Sequence, residues 1–326
     1  VNHILLIGLG SIGRRHLTNL AAQFPAARFT VLRHAARPDP LCDRLKARII
    51  TALDEVLHED VDLAVVATPS ANHIDTLPRL IERGWNLLVE KPVVTDLADC
   101  DRIAAALAKA PSAVRAAGFN FRFLPSLDRM RGLIRGGDLG QVVRAAFTAG
   151  LWLPDWRPTQ DWRTGYSADA ARGGGVELDL VHEIDVARWF FGDLALEFAL
   201  GGRHSALNLA ANDVATMVFS AQGKAPIVQV TLDYVSRRRL RRYEIVGDKA
   251  GLLWSIDGAL DHLGPQDRHS LSTDPADFDV GRTYIAMTEC LAAAIAGNWR
   301  EPLQSLEDGL ASTRLAIAAR DMGTRR

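Results

Sequence analysis

The triplet Gly8-x-Gly10-x-x-Gly13 follows directly on the apolar run Ile4 to Ile7 and opens a stretch of helical period over Ile12 to Ala22. A strand that must turn at once into a helix has few architectures open to it. Gly8 permits the tight turn, Gly10 lets a ligand approach the backbone, and Gly13 lets helix pack on strand, while the amides at the helix start favour an anion such as a pyrophosphate. Short apolar runs then alternate with amphipathic ones. Strands are expected near Phe29 to Leu32, Val61 to Ala67, Leu87 to Val89 and Val114 to Ala117, with helices over Asn72 to Arg83 and Asp96 to Lys109. Val, Leu and Ile run almost unbroken through these strands, which suits a parallel sheet covered on both faces. Residues 1–119 therefore read as a dinucleotide-binding Rossmann domain.

Beyond Gly118 the alternation stops. A helix from about Ser126 to Arg135 ends at Gly136-Gly137, and strand-like segments follow at Val142 to Phe147, Ala215 to Ser220, Ile227 to Tyr234 and Tyr243 to Val246. They suggest a mostly antiparallel sheet with a helix beside it, so residues 120–326 read as a second, α/β domain. Two closing helices are expected, near Tyr284 to Ala296 and from Ser305 onward, where Ser305 and Asp308 have capping-box spacing. Two domains fit a length of 326 residues. A net charge of -1 gives no electrostatic reason to expect nucleic acid or a membrane surface. Cys42, Cys100 and Cys290 are odd in number and widely spaced, fitting neither a disulfide framework nor a metal knuckle, and a reducing cytoplasm is the expected setting.

Three places carry chemistry. Where an NAD-specific protein often has an acidic residue after its second strand, this chain has Arg33, with Arg37 near it. A guanidinium there pairs with a 2′-phosphate, which favours NADP over NAD; the plain alternative is two solvated loop arginines. Glu90-Lys91-Pro92 stands at the C-terminal end of a parallel strand, where Lys91 can reach a ligand and share in proton transfer, or else form a surface pair with Glu90. Gly173-Gly174-Gly175 leads into Val176 to Trp189, in which a single helix would put Asp179, His182 and Asp185 on one face. His182 could take a hydroxyl proton beside a carboxylate; alternatively Asp179 caps the helix, and His182 and Asp185 form a surface pair. No further ligand stands at metal spacing, so no metal is expected.

Gly8-Leu9-Gly10-Ser11-Ile12-Gly13, Ala67-Thr68-Pro69 with His73, Glu90-Lys91-Pro92, Gly118-Phe119-Asn120-Phe121-Arg122-Phe123 and the triple-glycine segment leading to His182 and Asp185 together resemble the Gfo/Idh/MocA oxidoreductase family. The resemblance covers nearly the whole chain. It implies a Rossmann domain, a C-terminal α/β domain with a large, open, mostly antiparallel sheet whose exposed face makes homodimers or homotetramers, and a last helix able to pack back on the first domain. It further implies a cofactor site of Gly8, Gly10, Ser11, Ile12, Gly13, Thr68, Pro69, His73, Glu90 and Lys91, a catalytic set of Lys91, His182 and Asp179, and substrate contacts from Arg122 and Asp185. A cis bond before Pro92 is also implied. In one departure, Asp179 precedes His182 by three residues where many members have four.

Trp152-Leu153-Pro154-Asp155-Trp156-Arg157-Pro158, continuing through Asp161-Trp162-Arg163 to Tyr166-Ser167, sets indoles beside Arg and Asp groups. Indoles stack on sugar C–H faces and arginines hold carboxylates or phosphates, so Trp162 is taken as a substrate contact and an anionic or activated sugar as the preferred substrate class. Packing against a neighbouring subunit is the alternative for these tryptophans. The expected activity is hydride transfer between a nicotinamide and a carbinol or carbonyl carbon of a sugar, sugar acid or nucleotide-sugar. A redox-cycling glycosidase and a non-catalytic nucleotide sensor are the competing readings.

Overall fold

Strand β1 (His3–Ile7) is buried along its whole length. The chain then turns through the glycines into α1 (Ser11–Gln23). In this computed structural model, which describes residues 1–156, 161–221 and 224–324, the chain divides into two units. One comprises residues 1–119 and 284–311, the other residues 120–283 and 312–326.

The first unit continues with β2 (Arg28–Leu32), α2 (Pro40–Leu45), β3 (Arg48–Ile50), β4 (Leu63–Val66), α3 (His73–Glu82), β5 (Asn86–Val89), α4 (Leu97–Leu107) and β6 (Arg115–Ala117). Its strands lie in the order β6-β5-β4-β1-β2-β3 and run parallel, and a two-residue strand, Gln304–Ser305, pairs antiparallel with β6. That pairing explains why residues 284–311, expected in the second domain, group with the first unit. Continuous apolar strands made this sheet readable, since Leu63, Ala64, Val65 and Val66 are all wholly buried. β3 and α2 were not expected; Asp39 caps α2 by accepting from the Leu41 amide at 3.0 Å, and Pro40 occupies its first turn.

The second unit holds α5 (Pro125–Gly136), β7 (Val142–Trp152), α6 (Leu153–Trp156), α7 (Val176–Asp179), α8 (His182–Phe191), β8 (Ala195–Gly202), β9 (Val214–Ala221), β10 (Lys224–Asp233), β11 (Val235–Gly247), β12 (Gly251–Ser255), β13 (Ala259–Leu263) and β14 (Arg268–Ser272). α9 (Val280–Ile295) and α10 (Leu306–Gly323) close the chain. The sheet order is β14-β13-β12-β11-β7-β10-β9-β8, antiparallel throughout except for the parallel β7–β10 pair. α8 packs on β7 and β10 over a buried face that includes Phe147, Val230 and Tyr243. The opposite face carries Arg144, Gln229 and Arg242, which are exposed.

The single helix expected through Asp179, His182 and Asp185 is two. α7 ends at Asp179, and Leu180 (φ -100°, ψ 32°) leaves helical geometry before α8 begins at His182. The shared-face argument therefore does not extend to Asp179. Nor is the segment amphipathic: every residue from Gly173 to Phe190 is buried, polar ones included.

Candidate functional site

In the first unit the site gathers at the C-terminal ends of β1, β4 and β5. Gly8 adopts φ +95°, and a Cβ there would lie 2.7 Å from the Ala67 carbonyl oxygen. A Cβ on Gly13 would come within 2.1 Å of the Gly8 oxygen, whereas one on Gly10 would meet nothing within 4 Å. The first and third glycines are thus required by the turn itself, and the second faces open space. α1 is preceded by Gly10 at its N-cap and has neither a side-chain cap nor an acidic residue in its first turn, which leaves its amides and positive dipole end to an anion. Next to this turn, the buried Thr68 hydroxyl has no hydrogen-bond partner among the described residues. Open Gly10, uncapped amides and an unsatisfied hydroxyl fit a dinucleotide.

Arg33 follows β2 directly. Its Nη1 donates to the Arg37 carbonyl at 3.0 Å and lies 3.7 Å from Asp39. Asp39 also receives both Nη atoms of Arg14, which holds its carboxyl below the usual carboxylate range. Arg14 was not singled out from the sequence; its place one residue after Gly13 was the available signal. Arg37 contributes its carbonyl as an anchor for Arg33.

Glu90 is buried rather than part of a surface pair: its carboxylate turns inward, with Oε1 2.7 Å from His16 Nε2 and Oε2 accepting from the Lys91 amide at 3.2 Å. The Lys91–Pro92 bond is cis. His73, expected along the cofactor, is wholly buried, with Nδ1 3.0 Å from the Val93 oxygen and Nε2 3.1 Å from the Thr68 oxygen. It braces the two loops that carry Thr68 and Lys91, and burial pulls its pKa below the ordinary histidine value. His16, three residues after Gly13, is the functional neighbour that sequence reasoning missed.

In the second unit His182 is the first residue of α8 and is buried. Its imidazole stacks on Phe121 at 4.5 Å between centroids and 12° between planes. Asp179, on α7, accepts at Oδ2 from Ser167 Oγ (2.6 Å) and from Tyr234 OH (2.9 Å). Burial, then the Asp179 charge, raises the Tyr234 phenol well above its ordinary pKa, so it stays a donor.

Arg122 and Asp185, expected as substrate contacts, bind each other. Arg122 Nε donates to Asp185 Oδ2 at 2.8 Å and Nη2 to Oδ1 at 2.7 Å, and Ser312 Oγ adds a bond to Oδ1 at 2.8 Å. Asp185 is fully buried, so its carboxylate serves Arg122. The neighbouring Glu183, to which the sequence pattern assigns no role, is also fully buried, 2.7 Å from Arg241 Nε and accepting from Tyr243 OH at 2.8 Å. Trp162 stands half-buried in a short turn, Trp162–Thr164, with the Arg163 guanidinium 4.7 Å from its ring centroid. Arg157 and Pro158 of the same loop lie outside the described residues.

A glycine turn of this geometry on a parallel sheet of this order, followed by an open, mostly antiparallel sheet, marks the class of two-domain proteins with an NAD-binding Rossmann fold. Residues 2–117 match the profile described as an oxidoreductase family with an NAD-binding Rossmann fold, and residues 127–253 match the GFO/IDH/MocA C-terminal domain. The chain belongs to the Gfo/Idh/MocA oxidoreductase family. It is 31% identical over 201 residues to the rhizopine catabolism protein MocA of Rhizobium meliloti, across 59% of this chain and 58% of that protein. The match therefore spans little more than half of that relative. Among solved structures, a levoglucosan dehydrogenase in complex with NADH and L-sorbose superposes with a TM-score of 0.83 at 16% identity, covering 100% of this chain and 97% of that one. The WlbA dehydrogenase from Bordetella pertussis, in complex with NADH and UDP-GlcNAcA, gives 0.81 at 18%, covering 98% and 96%. At such identities the likeness is one of fold.

Proposed function

We propose that this protein is an NAD(P)-dependent oxidoreductase that moves a hydride between a nicotinamide and a carbinol or carbonyl carbon of a sugar, sugar acid or nucleotide-sugar. The observation that carries the reading is the first unit's cradle: open Gly10, the uncapped start of α1 and the unsatisfied Thr68 hydroxyl. When bound, the dinucleotide supplies the hydride acceptor or donor.

The amides that open α1, with Ser11 and Ile12, hold the pyrophosphate. Arg33, steadied by Asp39 and the Arg37 carbonyl and accompanied by Arg14, favours a 2′-phosphate and hence NADP. Thr68 and Pro69 line the cofactor, and His73 and Glu90 keep the loops around them in place. Lys91 donates to the substrate hydroxyl. His182, fixed on Phe121, accepts the hydroxyl proton during oxidation and returns it during reduction. Asp179, anchored by Ser167 and Tyr234, completes the catalytic set. Arg122 and Trp162 contact the substrate, and Asp185 acts through Arg122. The sugar ligands of the two dehydrogenases described above support the substrate class.

Copies of the chain are proposed to meet through the outward face of the second sheet, where Leu200 on β8 and Ile227 on β10 are 48% and 59% exposed. A reducing cytoplasm remains the proposed setting, supported by three buried, unbridged cysteines.

Titration with NADPH and NADH, followed by nicotinamide absorbance on adding sugars, sugar acids and nucleotide-sugars, tests the activity. Tight binding and a net change with one sugar class are expected. Binding without net change for any sugar favours the redox-cycling glycosidase or the sensor, and binding of neither dinucleotide overturns the reading.

A further inference from the structure

β11 carries five arginines in six positions, Arg237, Arg238, Arg239, Arg241 and Arg242, against one fully buried carboxylate, Glu183. That carboxylate is spoken for. Arg241 Nε lies 2.7 Å from Glu183 and Tyr243 donates to the same oxygen, so Arg241 is neutralised inside the fold. The Arg241 guanidinium also sits 4.2 Å from the centroid of Phe121, the ring on which His182 is stacked. It is therefore no farther from the imidazole than those two ring contacts together.

The arginines just before it have no such compensation. Between Val235 and Leu240 the pairing of β11 with β7 slips, so the strand bulges while carrying Arg237, Arg238 and Arg239. The bulge is built rather than loose: Asp233 Oδ1 accepts from the Val235 and Ser236 amides at 2.8 and 2.6 Å, and its Oδ2 from Ser236 Oγ at 2.9 Å. Arg237 is laid on the indole of Trp152, 3.6 Å from its centroid. Arg239 is exposed on the same bulge, and the desolvation of its guanidinium and the nearby charge of Arg241 pull its pKa down against the weaker pull of Asp257, which forms no ion pair with it. Among the described residues, Arg237, Arg238 and Arg239 form no ion pair with a carboxylate. A guanidinium held flat on an indole, with two more uncompensated cations on the same bulge and the neutralised Arg241 leading on to the Phe121–His182 stack, suits an anion attached to a flat, partly apolar body.

We propose that Arg237 and Arg239, with Trp152, form a subsite for an anionic group, carboxylate or phosphate, carried by the sugar that His182 acts on. The proposal rests on the hydride-transfer reading for the sugar but not for the anion. It assigns the anionic group of such a sugar to β11 and Trp152 rather than to the turn around Trp162.

The test is calorimetric titration of the full chain, with and without NADPH, using glucuronate, glucose 6-phosphate and glucose, repeated on the Arg237→Gln/Arg239→Gln double variant. At least one anion is expected to bind about tenfold or more tightly than glucose, in line with one or two charge-assisted hydrogen bonds that glucose cannot make. The double variant should lose that advantage while keeping its melting temperature. The preferred anion identifies carboxylate or phosphate. Equal affinity for all three, including binding of none, overturns the subsite, as does an advantage that survives in the double variant. If the preference holds but no sugar changes nicotinamide absorbance, the hydride reading falls and the anion subsite stands.

Discussion

The two units prepare their sites by opposite means. In the first, the glycine turn works through missing side chains: a Cβ on Gly8 or Gly13 would collide with backbone, and at Gly10 nothing fills the space beside the α1 amides. In the second, the ground around His182 is filled with charges that cancel one another, Arg122 with Asp185 and Arg241 with Glu183, each carboxylate fully buried and further hydrogen-bonded. Backbone donors bind any suitably placed phosphate without reorganising. Paired side chains hold an imidazole and a guanidinium in one pose, but only while both partners remain.

That contrast predicts that side-chain removal harms the second unit and side-chain addition the first. The largest effect is expected at His182→Ala, where turnover should drop about 10²- to 10⁴-fold with dinucleotide affinity nearly unchanged. Steady-state rates beside a cofactor titration check this, and unchanged turnover would remove His182 from the mechanism. Asp185→Ala removes the carboxylate to which both Nε and Nη2 of the buried Arg122 donate and should cost about 3–5 kcal/mol in denaturant unfolding. A loss well under 1 kcal/mol would show the pair to be dispensable, and the contrast with the first unit would dissolve.

In the first unit, Gly10→Ala should leave the melting temperature unchanged, because its Cβ has space, while weakening dinucleotide binding. Gly13→Ala should impair both, since the Gly8 oxygen stands 2.1 Å from the new carbon. Equal affinity of Gly10→Ala and the parent would place the pyrophosphate elsewhere. Arg33→Ser is expected to reduce the preference for NADPH over NADH by roughly tenfold, the scale of a charge-assisted hydrogen bond. An unaltered ratio would count against Arg33 as the 2′-phosphate ligand.

The smallest effects are on pH dependence, and the two units should differ in sign. His73 has a folded pKa below its unfolded value, so the unfolded chain binds more protons in that window and stability is lost as pH falls through it. Glu177, which accepts from Asn212 Nδ2 at 2.7 Å, has a folded pKa raised by burial above the ordinary carboxyl value. Its contribution is present below the unfolded pKa and is lost as pH rises through the folded one. Thermal melts of Glu177→Gln and the parent at pH about 5 and about 8 should diverge, with the variant gaining relative stability at the higher pH. Parallel profiles would mean that Glu177 titrates normally.

How far the sequence was legible follows the same division. β1, β2, β4, β5 and β6 were readable because both faces of each strand are covered, which leaves runs such as Leu63 to Val66 with no polar interruption. In the second sheet one face meets solvent, and the short strands β12, β13 and β14 carry too little pattern to separate from turns. β11 was read as Tyr243 to Val246 although it begins at Val235, because five arginines and a bulge mask its alternation. The break at Leu180 is a single-residue departure in an otherwise helical pattern, below what periodicity resolves.

By itself the sequence determined what local geometry demands: the strand-turn-helix with its three glycines, the parallel alternation, and Lys91 at a strand's C-terminal end. Only the tertiary structure decided which charges meet. Glu90 finds His16 across 74 positions, Arg122 finds Asp185 across 63, and Ser312 reaches the same carboxylate across 127. Backbone preferences act over a few residues and leave a written trace. The partner of a buried charge is chosen by the folded interior, where an unpaired ion is too costly to leave alone, and nothing in the neighbouring sequence records that choice.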